Sequence, residues 1–237
     1  MMPAESKVDA LRAAILDVVK RTENLLSRQA TDPDHRMLVA LAGVPGAGKS
    51  TVSDALVSEL AARGIRDVAV VPMDGFHYTR EILSTFDDAE VAFKRRGAPF
   101  TFDAKACVTL VKTLKEAPVT KDGEADICIP APGFDHAVKD PVQDAIKISS
   151  RTRLVIVEGN YTLLKQDPWD QIAEMCDERW FVDAPVDTVR DRLAQRHLAA
   201  GIETSMSAAI ARAEENDIPN GELIRSMMVK PDVIIEN

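Results

Sequence analysis

The sequence predicts a three-layer α/β fold, in which helices cover both faces of a mainly parallel sheet. Three observations carry this prediction. Short apolar runs at residues 37–42, 68–71, 154–157 and 180–182 have the length and all-round hydrophobicity of strands buried on both sides, and segments of helical spacing separate them. Carboxylates stand at or just beyond the ends of several runs (Asp74, Glu158, Asp183), where ligands gather in open parallel sheets. Directly after the first run comes Gly43-Val44-Pro45-Gly46-Ala47-Gly48-Lys49-Ser50, which meets the pattern G-x-x-x-x-G-K-[ST] at every fixed position.

Residues 8–26 place Leu11, Ala14, Ile15, Val18, Val19, Leu25 and Leu26 on one stripe, which predicts an amphipathic helix ahead of the first strand. Thr31-Asp32-Pro33-Asp34 then makes a turn, so residues 1–34 read as an N-terminal helix and linker and 35–237 as one domain. Behind the glycine loop, residues 50–63 form a helix with Val52, Leu56, Val57 and Leu60 in register and Gly64 as terminator. Residues 68–72 make the second buried strand.

Residues 75–102 have weak periodicity and are assigned to an insertion over the site that carries Lys94-Arg95-Arg96. A helix capped by Asp103 continues to Glu116, with Cys107, Leu110, Val111 and Leu114 on one face. Within a second insertion, 117–150, the alternation at 126–130 and 145–149 predicts two edge strands, and the loop between them holds Phe134-Asp135-His136. The buried strand at 154–157 ends in Glu158-Gly159-Asn160-Tyr161. After the strand at 180–182, residues 186–200 form a helix bearing Arg190, Arg192 and Arg196, and 187–203 reads as a lid. Residues 205–216 make a further helix, and 233–235 a closing strand.

Composition narrows the partners. A net charge of −9 opposes general binding to nucleic-acid backbones or anionic membranes, while local arginines can still meet a small phosphorylated ligand. The three cysteines are scattered, and the four histidines lack the paired spacing of a zinc site, so a reducing compartment is expected and no transition metal. The start of the chain lacks a signal peptide's apolar centre and no later run approaches the roughly 20 residues that span a bilayer, which makes a cytoplasmic location the expectation. A homodimer is left open.

The glycine loop states the chemistry. Its backbone N–H groups would cradle a triphosphate, Lys49 would reach the outer phosphates, and the Ser50 hydroxyl, followed by Thr51, would hold Mg2+. Glu158 stands where a second magnesium-site carboxylate is needed, or else caps a loop. Asp74 is the candidate general base for an acceptor hydroxyl, with a simple Asp-Gly turn as the alternative reading. Two of Arg190, Arg192 and Arg196 could close over the phosphates; Arg95 and Arg96 could reach the acceptor or lie on a solvated face. His77, Tyr78, Phe134, Asp135 and His136 offer rings and hydrogen-bonding groups suited to a polar small molecule.

Taken with Met73-Asp74-Gly75-Phe76-His77-Tyr78, Phe134-Asp135-His136, Val157-Glu158-Gly159-Asn160-Tyr161 and Arg192-Leu193-Ala194-Gln195-Arg196, the chain resembles the P-loop kinases grouped with uridine kinase, phosphoribulokinase and bacterial type I pantothenate kinase. Arg95-Arg96-Gly97-Ala98-Pro99 and Asn216-Asp217-Ile218-Pro219-Asn220 resemble runs in uridine-kinase-like proteins. The resemblance implies a P-loop NTPase fold with a core sheet of order 2-3-1-4-5, an added β-hairpin and a helical lid. It further implies ATP and Mg2+, Asp74 as base, Glu158 at the metal, Arg192 and Arg196 in the lid, and the run from Asn216 near the adenine. Asn160 and Tyr161 fall on the acceptor side of this scheme. Two departures set this chain apart: His197-Leu198-Ala199 follows Arg196 where uridine kinases carry more arginines, and Asp74-Gly75-Phe76 replaces their Asp-Ser-Phe. The expected activity is phosphorylation of a hydroxyl on a nucleoside, a sugar or a pantothenate-like alcohol. The alternative is a regulatory ATPase; a GTP switch is disfavoured because the chain has no Asn-Lys-x-Asp tetrapeptide.

Overall fold

The computed structural model describes the backbone of residues 4–237 and side chains from residue 9 onward, so the reading of the first three residues lies outside it. At its centre is β1 (Met37–Gly43), whose seven residues are all buried. It pairs in parallel with β5 (Leu154–Glu158) on one side and β6 (Glu178–Asp183) on the other. Outside these lie β2 (Val68–Pro72), paired with β5, and β7 (Val233–Glu236), paired with β6. The sheet order is β2-β5-β1-β6-β7, which, counting the core strands alone, is the expected 2-3-1-4-5. The chain crosses over on both sides of β1, so the crevice outside its carboxyl end is where such a sheet binds ligands.

The first helix, α1 (Ala4–Gln29), is no appendage: Val18, Val19, Leu25 and Leu26 are buried in the same core as the sheet. Helix α2 (Lys49–Ala62) buries Val52, Leu56 and Leu60 as the spacing requires. The insertion after β2 is more ordered than its weak periodicity suggests. It holds a 3-10 turn at Met73–Phe76, α3 (Arg80–Leu83), α4 (Ala89–Lys94) and a second 3-10 turn at Pro99–Thr101. Thr79 and Asp88 cap the two short helices by accepting from the N–H of Ile82 and Val91. Helices of one turn cannot show a period in sequence. Helix α5 (Ala104–Glu116) starts at its Asp103 cap.

The predicted edge strands need correction. Strands β3 (Cys128–Asp135) and β4 (Asp140–Ser149) pair only with each other, as a hairpin separate from the main sheet and longer than the alternation shows. Pro130, Pro132 and Gly133, with a register shift between Ala131 and Gly133, hide the strand's period. Phe134 and Asp135 therefore sit on a strand and only His136 on the turn. A short helix, α6 (Asp170–Met175), was not expected.

Helix α7 (Val186–Ala199) is followed by α8 (Met206–Arg212), a π turn (Ala213–Asp217) and α9 (Ile218–Ser226). The single helix predicted to stop at residue 216 thus continues for another ten residues. Pro219 reads as a helix stop, yet it falls in the first turn of α9, where its missing N–H costs little, and the π turn before it loosens the hydrogen-bond ladder. No described helix is long and apolar enough to cross a membrane.

Candidate active site

The fully buried β1 delivers Gly43 to the carboxyl-end crest of the sheet, and the chain then folds back around its own backbone. Gly46 and Gly48 adopt φ of 76° and 92°, the left-handed region that other residues enter at a cost. Gly48 is the N-cap of α2 and offers no side-chain cap, so the first N–H groups of that helix stay open toward the cleft. Val44, Pro45 and Ala47 are buried and brace the loop, and a Cβ on Gly221 of α9 would lie 3.3 Å from Val44. The side-chain amide of Asn237 also donates to the Ala47 carbonyl at 2.6 Å. The result is a cleft of about 210 Å3 bounded by Gly46, Gly48, Lys49, Ser50 and Thr51, with Arg192 and Arg196 facing them from α7.

Lys49 Nζ donates to Asn160 Oδ1 at 2.6 Å and to the carbonyls of Gly43 and Val44 at 3.1 and 3.3 Å. Burial pulls its pKa down to about 8, against the opposing fields of Glu158 and Asp74 and with help from Arg196. Glu158, only 8% exposed, is held on both oxygens: Ser50 donates to Oε1 and Ser53 to Oε2, each at 2.7 Å. A hydroxyl and a carboxylate side by side next to a phosphate-binding loop are hard oxygen donors that suit Mg2+, which takes few protein ligands. Ser53 was missed by sequence reasoning, although it lies three positions after Ser50 on the same helical face. Asn160, expected on the acceptor side, holds Lys49 instead.

Across the cleft, the register of β2 against β5 sets Pro72 beside Glu158, which carries Asp74 to the same crest of the sheet two residues later. The Asp74 carbonyl accepts from the His77 N–H at 3.2 Å and lies 2.8 Å from His77 Nδ1. Gly75 is required by close approach: a Cβ there would stand 2.2 Å from the Pro132 carbonyl oxygen of the hairpin. His77 lies against Phe102 and Phe134, with ring centroids 3.9 and 5.0 Å away, and burial lowers its pKa so that the neutral ring is favoured. Tyr78 meets Phe86 edge-on at 5.7 Å. Between the end of β2 and the hairpin lies an open surface groove of about 540 Å3, lined by Pro72, Phe134, Asp135, His136 and Val142 among others.

Several candidates are occupied elsewhere. Arg96 pairs with Asp140 at 2.7 Å, donates to the Tyr78 carbonyl at 3.0 Å and covers the Phe134 ring at 5.8 Å, which makes it a strut between hairpin and insertion. Arg190 is paired with Asp187 and Asp191 on its own helix at 3.2 and 3.1 Å and does not line the cleft. Asp135 accepts from the N–H groups of Ala137 and Val138 and so shapes the hairpin turn. The Tyr161 hydroxyl donates to the Gly97 carbonyl at 2.6 Å in a buried setting. Arg95 is gripped by Asn216 and Asn220, so the run expected near the adenine lies between Arg95 and the Val44 side of the loop. Arg192 makes long contacts of 3.5 Å to the carbonyls of Gly46 and Ala47.

A parallel sheet with a glycine-rich loop at its switch point, a half-buried lysine and a facing helix that bears arginines have the form of a P-loop nucleotide-binding site. The family model for the methylmalonyl-CoA mutase-associated GTPase MeaB matches residues 12–78, which include the loop and Asp74. A Schizosaccharomyces pombe protein provisionally named a uridine kinase is 37% identical over 232 residues, covering 97% of this chain and 94% of its own. The ATP-dependent kinase YFH7 of Zygosaccharomyces rouxii is 34% identical over 187 residues, which amount to 70% of this chain and 50% of that protein. Among solved structures, a Silicibacter protein provisionally described as a fructose transport system kinase is 33% identical with a TM-score of 0.71, covering 84% of this chain and 89% of its own. YFH7 of Saccharomyces cerevisiae, at 24% identity, shares the fold with a TM-score of 0.79 over 94% of this chain and 98% of its own. The chain belongs to the uridine-kinase-like family of P-loop kinases, and it is a kinase.

Proposed function

We propose that this protein transfers the terminal phosphoryl group of ATP, with Mg2+, to a hydroxyl of a small metabolite. One observation supports this above the others: the β2–β5 register brings Asp74 to the same crest as Glu158, opposite Lys49. A transferase needs a base beside the acceptor oxygen, a role that a carboxylate at this crest would fill. Asp74 would take the hydroxyl proton as that oxygen bonds to phosphorus and ADP departs. Lys49, Arg192 and Arg196 would balance the charge on the migrating group, and Ser50 with Glu158 would hold magnesium, which would supply further neutralisation of the phosphate charge. His77, Tyr78, Phe134 and His136 would form the wall against which the acceptor rests. A nucleoside, a sugar and a pantothenate-like alcohol are the candidates, and relatives named for uridine and fructose support the first two.

The test is incubation of the purified protein with labelled ATP, Mg2+ and a panel of hydroxylated metabolites. A phosphorylated product formed in proportion to ADP supports the reading. Tight ATP binding with no labelled acceptor across the panel overturns it in favour of the regulatory ATPase.

A further inference from the structure

Glu158 is fixed along its main chain by the strands on both sides and at its carboxylate by a single helix. The register sets it opposite Leu41 of β1 and Pro72 of β2, and the Gly159 N–H donates to the Leu41 carbonyl at 3.0 Å. Its buried carboxylate accepts from two serines of α2, Ser50 on Oε1 and Ser53 on Oε2, each at 2.7 Å. Among the described residues no other donor reaches it. The two serines lie one turn apart on one face of the helix, so they bracket the carboxylate. Their short bonds to it are charge-assisted, the stronger kind of hydrogen bond.

The two hydroxyls are not equivalent. Ser50 lines the cleft, whereas Ser53 is 1% exposed and does not. Ser53 also has a second acceptor within reach, the Ser50 carbonyl at 3.1 Å on its own helix. It can therefore be satisfied without Glu158, but Glu158 Oε2 has no other donor and would be left orphaned without Ser53. A hydroxyl carries one proton, and while Glu158 Oε1 accepts that of Ser50, the Ser50 lone pairs stay free for a cation. This holds only as long as Oε1 keeps its place. The strands pin the main chain and leave the side-chain torsions free, so the second hydroxyl is what stops the carboxylate from turning.

We propose that Ser53 is a positioning residue for the magnesium site: by anchoring Glu158 Oε2 it keeps Oε1 on the Ser50 hydroxyl, which then offers the cation its lone pairs instead of its proton. The inference rests on the kinase reading above, which assigns Mg2+ to Ser50 and Glu158, and adds a residue that the reading leaves unused. Groups behind a metal's own ligands set the orientation of those ligands and with it much of the affinity.

The experiment uses the full chain with Mn2+ as the probe and the ATP analogue AMP-PNP bound, the protein being in excess of nucleotide, and reads free Mn2+ by electron paramagnetic resonance. Ser53→Ala is expected to raise the Mn2+ dissociation constant roughly 10- to 100-fold, while AMP-PNP affinity in EDTA, read by calorimetry, stays within about twofold. In a Glu158→Gln background the same substitution should move the Mn2+ constant by less than about twofold, because its effect passes through the carboxylate. An unchanged Mn2+ constant in Ser53→Ala, with or without a lower melting temperature of the ligand-free protein, overturns the proposal and makes Ser53 only the partner of a buried carboxylate. Equal losses in both backgrounds overturn it too, since Ser53 would then act apart from Glu158, and so does a matching loss of AMP-PNP affinity in EDTA. Wild-type protein that binds AMP-PNP but holds no Mn2+ with it overturns the magnesium assignment of the kinase reading, and this proposal with it. A wild-type Mn2+ site that ignores Ser53→Ala overturns the proposal alone and leaves that reading standing.

Discussion

Lys49 is pulled in two directions: burial favours its neutral form, and the carboxylates of Glu158 and Asp74 favour its charged one. With the balance near pH 8, a bound triphosphate would restore the proton. Above that pH, ATP binding should therefore take up a proton, and affinity should fall by up to about tenfold per pH unit. Calorimetry in buffers of different ionisation enthalpy should show uptake at pH 9 and none for Lys49→Met; equal proton counts would refute the assignment. Asp74→Asn should leave ATP binding intact while lowering kcat by roughly 10²–10⁴-fold if the carboxylate is the base. Glu158→Gln keeps the shape of a side chain held by Ser50 and Ser53, so its effect should appear as a magnesium requirement raised roughly 10- to 100-fold. The phosphate loop was legible in sequence because its parts are consecutive. The grip on Arg95 was not, since Asn216 and Asn220 meet it across 121 and 125 positions, and nothing local marks an asparagine as an arginine's partner.

Among the elements, strands buried on both faces and helices of several turns were readable, because burial imposes a period that only long elements can display. The one-turn helices α3 and α4 and the bulged β3 were not, and each is set by caps, prolines or a register shift that interrupts the pattern. Arg36 shows how distant elements are fastened below the sheet. Wholly buried, it donates to the carbonyls of Leu114 and Ala117 at the end of α5 and to those of Ser150 and Thr152 after the hairpin. Burial lowers its pKa, and four acceptors in place of a carboxylate keep it satisfied. Arg36→Met would orphan these carbonyls and should cost about 3 kcal/mol, a fall in melting temperature of roughly 6–12 °C. Calorimetric melting measures this directly, and a change under 2 °C, by about the same scale, would show that water replaces the guanidinium.

For the molecule as a whole, an acidic body of net charge −9 gathers Lys49, Arg192 and Arg196 around one cleft. The lid helix bears exposed arginines on one side while Val189, Leu193 and His197 are buried, and His197 Nε2 meets Asp217 at 2.9 Å. This bond connects α7 to the π turn and, through Asn216, to Arg95. Mg-ATP at a hundred times its dissociation constant should stabilise the fold by about 2.7 kcal/mol, a rise in melting temperature of roughly 5–10 °C. Tryptic cleavage at Arg192 and Arg196 should slow in the same samples; unchanged cleavage would mean that the arginines stay clear of the nucleotide. The meeting of Gly75 with Pro132 bears on how such an enzyme diversifies. Because main-chain atoms meet there, hairpin side chains outside the Phe134–His77 and Asp140–Arg96 contacts can be exchanged without disturbing that junction. New acceptors could thus be tried by drift in the hairpin while the reacting centre keeps its alignment.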